Sequence, residues 1–390
     1  MIVVIADDIS GAAELAGIAF ERGLSAEVQT CFDPTSTADV VALDTDSRLA
    51  TPAVAARRVG EMARHVAAAN PSLIYKKVDS VLRGAIVAEI DAILESTGRT
   101  QALLVPANPS RRRLIKVGEY FVEGVPLADT GFANDPTHPA WTSNVLELLG
   151  PSAAGGTTSV RANGGIFERG ITIPDVGSVK DLKRRAMEVD ENILPAGGAE
   201  FFGAILDLRE GGVSGASDPA EEADSFLGDG GTLIVCGSAA AWAHGRGEKN
   251  ETSGMPSFAM APELAATGDA GPNQEACARW AFDVWTALQE HGAATIAIGL
   301  DEAVDSSSSE KLLARLVDAV EIVLRKAIVN RLLLEGGATA RAVIDRMGWS
   351  AFTTVGAIEG LSWLRVGGEE NPVLLIKPGS YRWPSGVVES

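Results

Sequence analysis

The sequence predicts an α/β fold in two domains. Short apolar runs that end in polar residues alternate with segments of helical periodicity, and this alternation is typical of βαβ units with parallel strands. The length of 390 residues exceeds what a single compact core usually holds. A stretch rich in Gly, Ser and acidic residues, 211–231, divides the chain and is typical of a linker. We therefore predict an N-terminal domain at 1–210 and a C-terminal domain at 232–390.

The composition argues against several classes of partner. The formal net charge is −19, whereas a protein that binds nucleic acid needs clustered Lys and Arg for the phosphates. No apolar run approaches the length that crosses a membrane. The three cysteines and four histidines are scattered without the spacing of metal ligands, and the chain starts on a strand without a leader. We expect a protein of the reducing cytoplasm that binds small molecules.

The first strand carries the most informative pair of side chains. The apolar run Ile2–Ala6 predicts a buried strand that delivers Asp7 and Asp8 at its carboxyl end. Open α/β sheets bind ligands beyond this end of their strands, so the two acids are placed to meet a substrate hydroxyl or a metal ion. Adjacent carboxylates repel unless a cation, hydrogen bonds or a raised pKa relieves them, which favours function. The alternative is that one acid only caps the helix that follows.

The next two predicted strands also end in charged residues. Val40–Leu43 runs into Asp44–Arg48, and the strand around Leu73–Tyr75 opens the densest polar segment of the sequence. An Arg fork binds a carboxylate through two hydrogen bonds and a Lys supplies a point charge, so this segment suits an anionic, hydroxylated small molecule. A solvated charged turn with an internal ion pair is the alternative. The polar positions, which we place in the strand-to-helix turn or the first helical turn, are Lys77, Asp79, Ser80 and Arg83.

A run of three arginines, Arg111–Arg113, follows the predicted strand Ala102–Val105. In so acidic a protein these side chains can bind a carboxylate or phosphate, although a solvated surface cluster is the commoner fate of such runs. The turn-rich stretch Asn134–Pro139 predicts a long loop over the strand ends, where binding residues are often found.

The second half repeats the strand–helix alternation from Thr232–Cys236 onward, with a long polar loop expected between His244 and Gln274. The stretch Leu332–Ala340 reads as a strand, a glycine turn and a helix. Glycines let the backbone approach a phosphate, and the free N–H groups of the helix start point toward it. Such a turn is also common in any α/β fold, where it serves only to connect a strand and a helix.

Four ordered motifs resemble those of the four-carbon acid sugar kinase family. This resemblance implies an N-terminal domain that binds the sugar acid, a C-terminal domain that binds ATP, both Rossmann-like, and a reaction at the cleft between them. It also implies Mg²⁺ as cofactor, and a homodimer is possible. The motifs are Ala-Asp-Asp-Ile-Ser-Gly-Ala from Ala6, Asp-Ser-Arg from Asp46, Tyr-Lys-Lys-Val-Asp-Ser-Val-Leu-Arg-Gly from Tyr75, and Asp135-Pro136 with Pro139 and Ser143.

The resemblance assigns roles to particular positions. Since phosphoryl transfer needs a group that accepts or orients the proton of the hydroxyl, our hypothesis is that Asp8, with Asp7 nearby, orients or deprotonates the terminal hydroxyl of the substrate. The residues expected to bind the sugar acid are Ser47, Arg48, Lys77, Asp79, Ser80, Arg83 and Arg113. Those expected to bind the nucleotide are Ser238, Gly336, Gly337, Ala338, Thr339, Lys377 and Gly379.

The sequence departs from the family pattern at three places. Ser110–Arg113 stands where the family has a Gly-Arg pair, which leaves open the arginine that takes that role. Ala338 occupies the place of an acid, with Glu335 just before the glycines, and Ala239–Ala241 replaces polar positions. These departures permit a second hypothesis, a catalytically silent sensor of sugar acids. A third, a phosphohydrolase with Asp7 as nucleophile, ranks lower because Ile9 stands where the second acid is wanted.

Overall fold

The computed structural model describes residues 1–135, 137–151, 158–161, 165–166, 168–209, 231–237, 255–265, 274–299, 306–358, 360–367, 372–378, 383–384 and 387. The chain forms two compact units, 1–216 and 217–390. The predicted linker falls outside the described residues except for Gly231, which instead begins a strand.

The first unit is built on a sheet of parallel strands. In its described part the strand order is β2-β3-β1-β4-β11-β5-β10-β9, and every neighbouring pair is parallel. These strands are β1 (Ile2–Ala6), β2 (Ala26–Gln29), β3 (Val40–Asp44), β4 (Leu73–Lys77), β5 (Gln101–Val105), β9 (Thr158–Arg161), β10 (Gly170–Pro174) and β11 (Ile193–Gly197).

The helices of the first unit follow the predicted pattern. The second helix has Pro52 in its first turn, and its buried positions recur at helical spacing. The helices are α1 (Ile9–Phe20), α2 (Pro52–Ala68), α3 (Ile86–Thr97), α4 (Val145–Leu149), α5 (Val179–Ala186) and α6 (Ala199–Arg209).

A small antiparallel sheet follows β5. It consists of β6 (Arg113–Lys116), β7 (Glu119–Val122) and β8 (Val125–Pro126), in that order. Two 3-10 turns, Leu127–Asp129 and Gly131–Asn134, continue the segment. The predicted loop over the strand ends therefore contains regular structure of its own.

The second unit has a mixed sheet. Its described strands lie in the order β13-β14-β12-β15-β18-β17-β16, with parallel pairs from β13 to β18 and antiparallel pairs from β18 to β16. They are β12 (Gly231–Cys236), β13 (Ser257–Ala259), β14 (Ala293–Ala297), β15 (Val329–Glu335), β16 (Ala351–Ile358), β17 (Leu361–Val366) and β18 (Val373–Lys377). The helices are α7 (Pro262–Ala265), α8 (Gln274–His291), α9 (Ser306–Lys326) and α10 (Gly337–Met347).

These elements confirm an α/β fold with mostly parallel sheets and correct the prediction in detail. The expected loop at 244–274 contains β13 and α7, and its remaining residues lie largely outside the described part. Strands β11, β16 and β17 were not predicted. A cleft between two domains stays a prediction.

Candidate functional site

The connections of the first unit reverse direction at β1. From β1 the chain passes to β2 and β3 on one side of it, then to β4 on the other side. Such a switch point opens a crevice at the carboxyl ends of the strands. Ala6, the last residue of β1, pairs with Asp44 of β3 and Lys77 of β4, so the three strands end level. The polar residues that follow each strand therefore converge.

Arg48 joins the two acids that follow β1. Its Nε and Nη2 donate to Asp7 Oδ2 and Oδ1 at 2.7 and 2.9 Å. Its Nη1 and Nη2 donate to Asp8 Oδ2 and Oδ1 at 2.7 and 2.8 Å. One guanidinium thus binds both carboxylates. It is the cation that relieves the repulsion between these adjacent acids. The guanidinium of Arg48 is occupied by these two acids and orients them. This differs from the prediction, in which Arg48 binds the carboxylate of the substrate.

The two acids differ in accessibility and in local role. Asp8 caps α1, because its Oδ1 accepts a hydrogen bond from the backbone N–H of Gly11 at 2.8 Å and its Oδ2 accepts one from Ser10 Oγ. The Asp8 side chain is 12% exposed and that of Asp7 is 2% exposed. Asp8 is therefore both the cap and the acid that solvent or a ligand reaches.

Electrostatics keep Asp7 ionised. Burial opposes its ionisation, but the charges of Arg48 and two neighbouring lysines outweigh burial and hold the pKa of this carboxyl below its usual range. The same carboxylates hold the pKa of Arg48 well above its usual value against the opposing effect of burial.

Lys77 lies at the end of β4 and is buried, which corrects its predicted place in the turn. Its Nζ lies 3.3 Å from Glu14 Oε2 on α1 and donates to the carbonyl of Val78 at 3.1 Å. Burial disfavours the charged amine, yet Glu14 and Asp7 raise its pKa above the usual value. Sequence reasoning missed Glu14, although a single acid within an otherwise apolar helix was a visible signal.

Asp79 and Arg83 extend the charged site along the turn after β4. Arg83 donates from Nε and Nη2 to both oxygens of Asp79, at 3.0 and 2.8 Å, and its Nη1 lies 3.2 Å from Asp135 Oδ2. Asp79 also accepts the backbone N–H groups of Val81 and Arg83, at 3.1 and 3.2 Å. Despite burial, Arg48 and Arg83 keep the pKa of Asp79 far below its usual value. Both residues precede α3, so neither lies in its first turn.

The arginine run contributes one residue to the site. Arg113 is buried at the start of β6 and donates from Nη1 to Ser80 Oγ, while Arg112 is exposed. Tyr120 Oη donates to the carbonyl of Ser80, so the small sheet holds this turn at two atoms. Arg113 is therefore the arginine that the structure brings to the site, and the surface-cluster alternative is wrong for it.

Ser47 is fully buried and contacts the backbone of Asp7. Its hydroxyl shares a hydrogen bond of 2.8 Å with Thr45 Oγ1, and its backbone N–H donates to the carbonyl of Asp7 at 2.9 Å. Ser47 therefore supports the ends of β1 and β3. The connected charged residues, hereafter the polar cluster, are Asp7, Asp8, Glu14, Arg48, Lys77, Asp79, Arg83, Arg113 and Asp135.

A second set of candidate residues lies in the second unit. Cys236 of β12 pairs with Glu335 of β15, which pairs with Lys377 of β18, so these strands also end level. Lys377 is buried and its Nζ forms an ion pair with Glu335. Gly336 has φ of +96°, which favours glycine, and precedes α10 without a side-chain cap among the described residues. The first backbone N–H groups of an α-helix have no acceptor within the helix, and proteins often bind phosphate at such a helix start.

Thr339 packs against the end of β12. A Cβ on Gly237 would lie 2.2 Å from Thr339 Oγ1, so only glycine fits there. Thr339 is buried and Ala338 occupies the first turn of α10. Two further residues predicted to bind the nucleotide, Ser238 and Gly379, lie outside the described residues.

The fold and the polar cluster define an α/β protein with a charged site at the carboxyl ends of parallel strands. A family model described as the sugar-binding N-terminal domain matches residues 2–193. The D-threonate kinase of Cupriavidus necator is 30% identical over 373 residues, which cover 90% of this chain and 86% of that protein. The chain therefore belongs to the four-carbon acid sugar kinase family, as its motifs predicted.

Other relatives show how far the similarity reaches. The D-erythronate kinase of Heliobacterium modesticaldum is 32% identical over 202 residues, which cover 46% of this chain and 46% of that relative, less than half its length. The 3-oxo-tetronate kinase of Methylobacterium radiotolerans is 28% identical, and the match covers 97% of this chain and 95% of the relative. A Haemophilus influenzae protein assigned to the family DUF1537 has a similar fold, with a TM-score of 0.66 at 20% identity over 97% of this chain and 96% of that one.

None of the helices in the described ranges is both long and apolar enough to span a membrane.

Proposed function

We propose that this protein is an ATP-dependent kinase that phosphorylates the terminal hydroxyl of a four-carbon acid sugar of the erythronate, threonate or oxo-tetronate type. The observation that carries the proposal is the pair of acids at the switch point of the first unit, both bound by Arg48. Phosphoryl transfer requires positioning of a hydroxyl and a group that orients or accepts its proton. An ionised carboxylate in a fixed orientation at a ligand crevice supplies that group.

Asp8 is our candidate for the base, with Asp7 in support. Asp8 is the more exposed of the two acids, and its carboxylate is held by Arg48 and by the start of α1. Asp7 is almost fully buried, so it fixes Arg48 and does not reach a substrate.

Arg83 is our candidate for the first contact with the substrate carboxylate. Its side chain is 28% exposed, more than that of Arg48 at 16% or Lys77 at 5%. Two of its nitrogens donate to Asp79, and the third, Nη1, donates a longer hydrogen bond of 3.2 Å to Asp135 Oδ2. The guanidinium thus keeps N–H groups that point away from Asp79 and can accommodate an anion.

We propose that the second unit binds ATP at the turn before α10. The uncapped helix start after Gly336 and the buried Lys377 suit a phosphate chain. Among the described residues no group of three or more His, Cys, Asp or Glu is arranged to hold a metal ion. Mg²⁺ would be held mainly by the nucleotide phosphates and water, with at most one acid of the protein, as is common in kinases.

The test is ATP consumption with Mg²⁺ in the presence of erythronate, threonate and their oxo derivatives, with direct detection of the phosphorylated acid. Turnover of one acid is the expected result and identifies the substrate. Absence of turnover across the panel contradicts the proposal.

The two alternatives make different predictions. A silent sensor binds ATP or a sugar acid without turnover, as the alanines near the nucleotide turn would permit. A phosphohydrolase with Asp7 as nucleophile is disfavoured, because Asp7 is almost fully buried and bound to Arg48, and Ile9 is buried at the position of the second acid.

A further inference from the structure

The turn after the 3-10 helices brings a histidine to the polar cluster. Asp135 Oδ1 accepts the backbone N–H groups of Thr137 and His138, at 3.0 and 2.8 Å. The other oxygen of Asp135 lies 3.2 Å from Arg83 Nη1. Asp135 thus ties this turn to Arg83, and the position of His138 depends on backbone atoms that any residue except proline would supply.

The imidazole of His138 is available to a ligand. It is half-buried, and among the described residues it forms no hydrogen bond. It interacts electrostatically with charged groups from two further turns, Asp79 and Arg83 after β4 and Arg48 after β3. The described histidines His65 and His291 are exposed near the ends of α2 and α8.

The formal charge of the polar cluster does not favour an anion. The cluster holds five carboxylates, those of Asp7, Asp8, Glu14, Asp79 and Asp135, and four cations. Arg48, Lys77 and Arg83 pair with these carboxylates, and Arg113 donates to the hydroxyl of Ser80. A sugar acid adds one more negative charge. Because charges in a partly buried site must be compensated, an added positive charge would strengthen the binding of this anion beside Arg83.

We propose that His138 takes up a proton when the carboxylate of the sugar acid binds beside Arg83, and so determines the affinity for the anionic substrate. This inference rests on the proposed kinase function and names a group that recognises its substrate. Histidine is the side chain whose protonation changes near neutral pH, so it can supply the missing charge.

The state of His138 in the free protein agrees with this role. Burial lowers the pKa of His138, and Arg83 and Arg48 act in the same direction, against the raising effect of Asp135 and Asp79. The imidazole is therefore neutral at neutral pH before the substrate binds. A bound carboxylate acts in the opposite direction and raises the pKa of the ring.

The test uses the full chain, with sodium threonate and erythronate as probes and the neutral polyols threitol and erythritol as controls. Calorimetric titration without ATP, in buffers of different ionisation enthalpy, measures the protons taken up on binding. As the pH is lowered from about 8.5 to about 5.5, we expect the dissociation constant of the complex with the sugar acid to fall. The fall is at most about tenfold for each unit by which the pKa of His138 differs between the free and the bound protein. The polyols bind without proton uptake.

Variants assign the effect to one residue. His138→Asn and His138→Gln are expected to abolish both the proton uptake and the pH dependence of KM for the acid, whereas His65→Gln retains them. A His138→Asn protein with the pH dependence of the natural chain overturns the inference. A protein that turns over the acid with a pH-independent KM also overturns it and leaves the kinase function intact. If the protein neither binds nor turns over any acid in the panel, both the inference on His138 and the proposed kinase function are overturned.

Discussion

At the scale of single residues, the site depends on charges that compensate each other inside the protein. Arg48 binds two acids and Glu14 pairs with Lys77, so each of these buried charges has a partner. Asp7 and Asp8 could be selected from the sequence because adjacent acids at a strand end require a special environment. Glu14 was missed because its partner is 63 positions away, at the end of another strand. Pairing of distant residues follows from strand order, which a single sequence does not show.

Removal of Glu14 tests this compensation. Glu14→Gln leaves Lys77 as a buried cation without its counter-charge, and such a loss typically costs about 3–5 kcal/mol. We expect the midpoint of thermal unfolding to fall and KM for the sugar acid to rise. Glu95→Gln, at an exposed position of α3, is the matched control and should leave both unchanged. Equal unfolding midpoints for the two variants would show that the Glu14–Lys77 pair contributes little.

At the scale of elements, the strand–helix alternation was predictable because buried parallel strands and amphipathic helices have distinct periodicities. Strand β16 alternates exposed and buried positions over Ala351–Thr354, but the buried Thr354 is polar, so the sequence itself does not alternate apolar and polar residues and gave no signal of this strand. Strand β11 carries a residue that argues against a strand in the interior of a sheet. It contains Pro195, yet it lies between β4 and β5 in the interior of the sheet, where proline is rare.

The contact between β12 and α10 gives a prediction for the nucleotide site. Gly237→Ala should destabilise the protein, because the added Cβ would overlap Thr339 Oγ1. In a Thr339→Ala background the same change should cost less, since the overlapping atom is gone. A double-mutant cycle by chemical denaturation measures this coupling, which is typically about 0.5–3 kcal/mol for residues in contact. Additive effects of the two changes would contradict the packing described.

At the scale of the whole molecule, the buried carboxyls with depressed pKa values that are found among the described residues lie in the first unit. The Asp7 and Asp79 carboxyls have pKa values below the unfolded value of 3.8. Their contribution to stability is present above this value and is lost as the pH falls toward the folded pKa. The assignment of the two units to sugar acid and ATP stays a proposal, because sequence motifs and strand order do not fix how two units act together.

This distribution predicts that acid weakens the first unit before the second. Six of the seven tryptophans lie in residues 217–390, and only Trp141 lies in the first unit, so tryptophan fluorescence reports mainly the second unit. Circular dichroism reports the backbone of both units. As the pH is lowered below about 4, we expect the urea midpoint measured by circular dichroism to decrease at a higher pH than the urea midpoint measured by fluorescence. Coincident midpoints at every pH would contradict the prediction.

The central claim is that Asp8, oriented by Arg48, serves phosphoryl transfer from ATP to a hydroxyl of the sugar acid. The most direct test is the turnover of Asp8→Asn on the acid that the natural chain phosphorylates, together with its dissociation constant for ATP. Asparagine also caps helices well, so α1 and the fold should be retained. We expect turnover to fall by about 10²–10⁴-fold, as for loss of a general base, with little change in ATP affinity. Near-normal turnover in Asp8→Asn would contradict the claim, and the exposed acid in α6 offers Asp207→Asn as the control that should remain active.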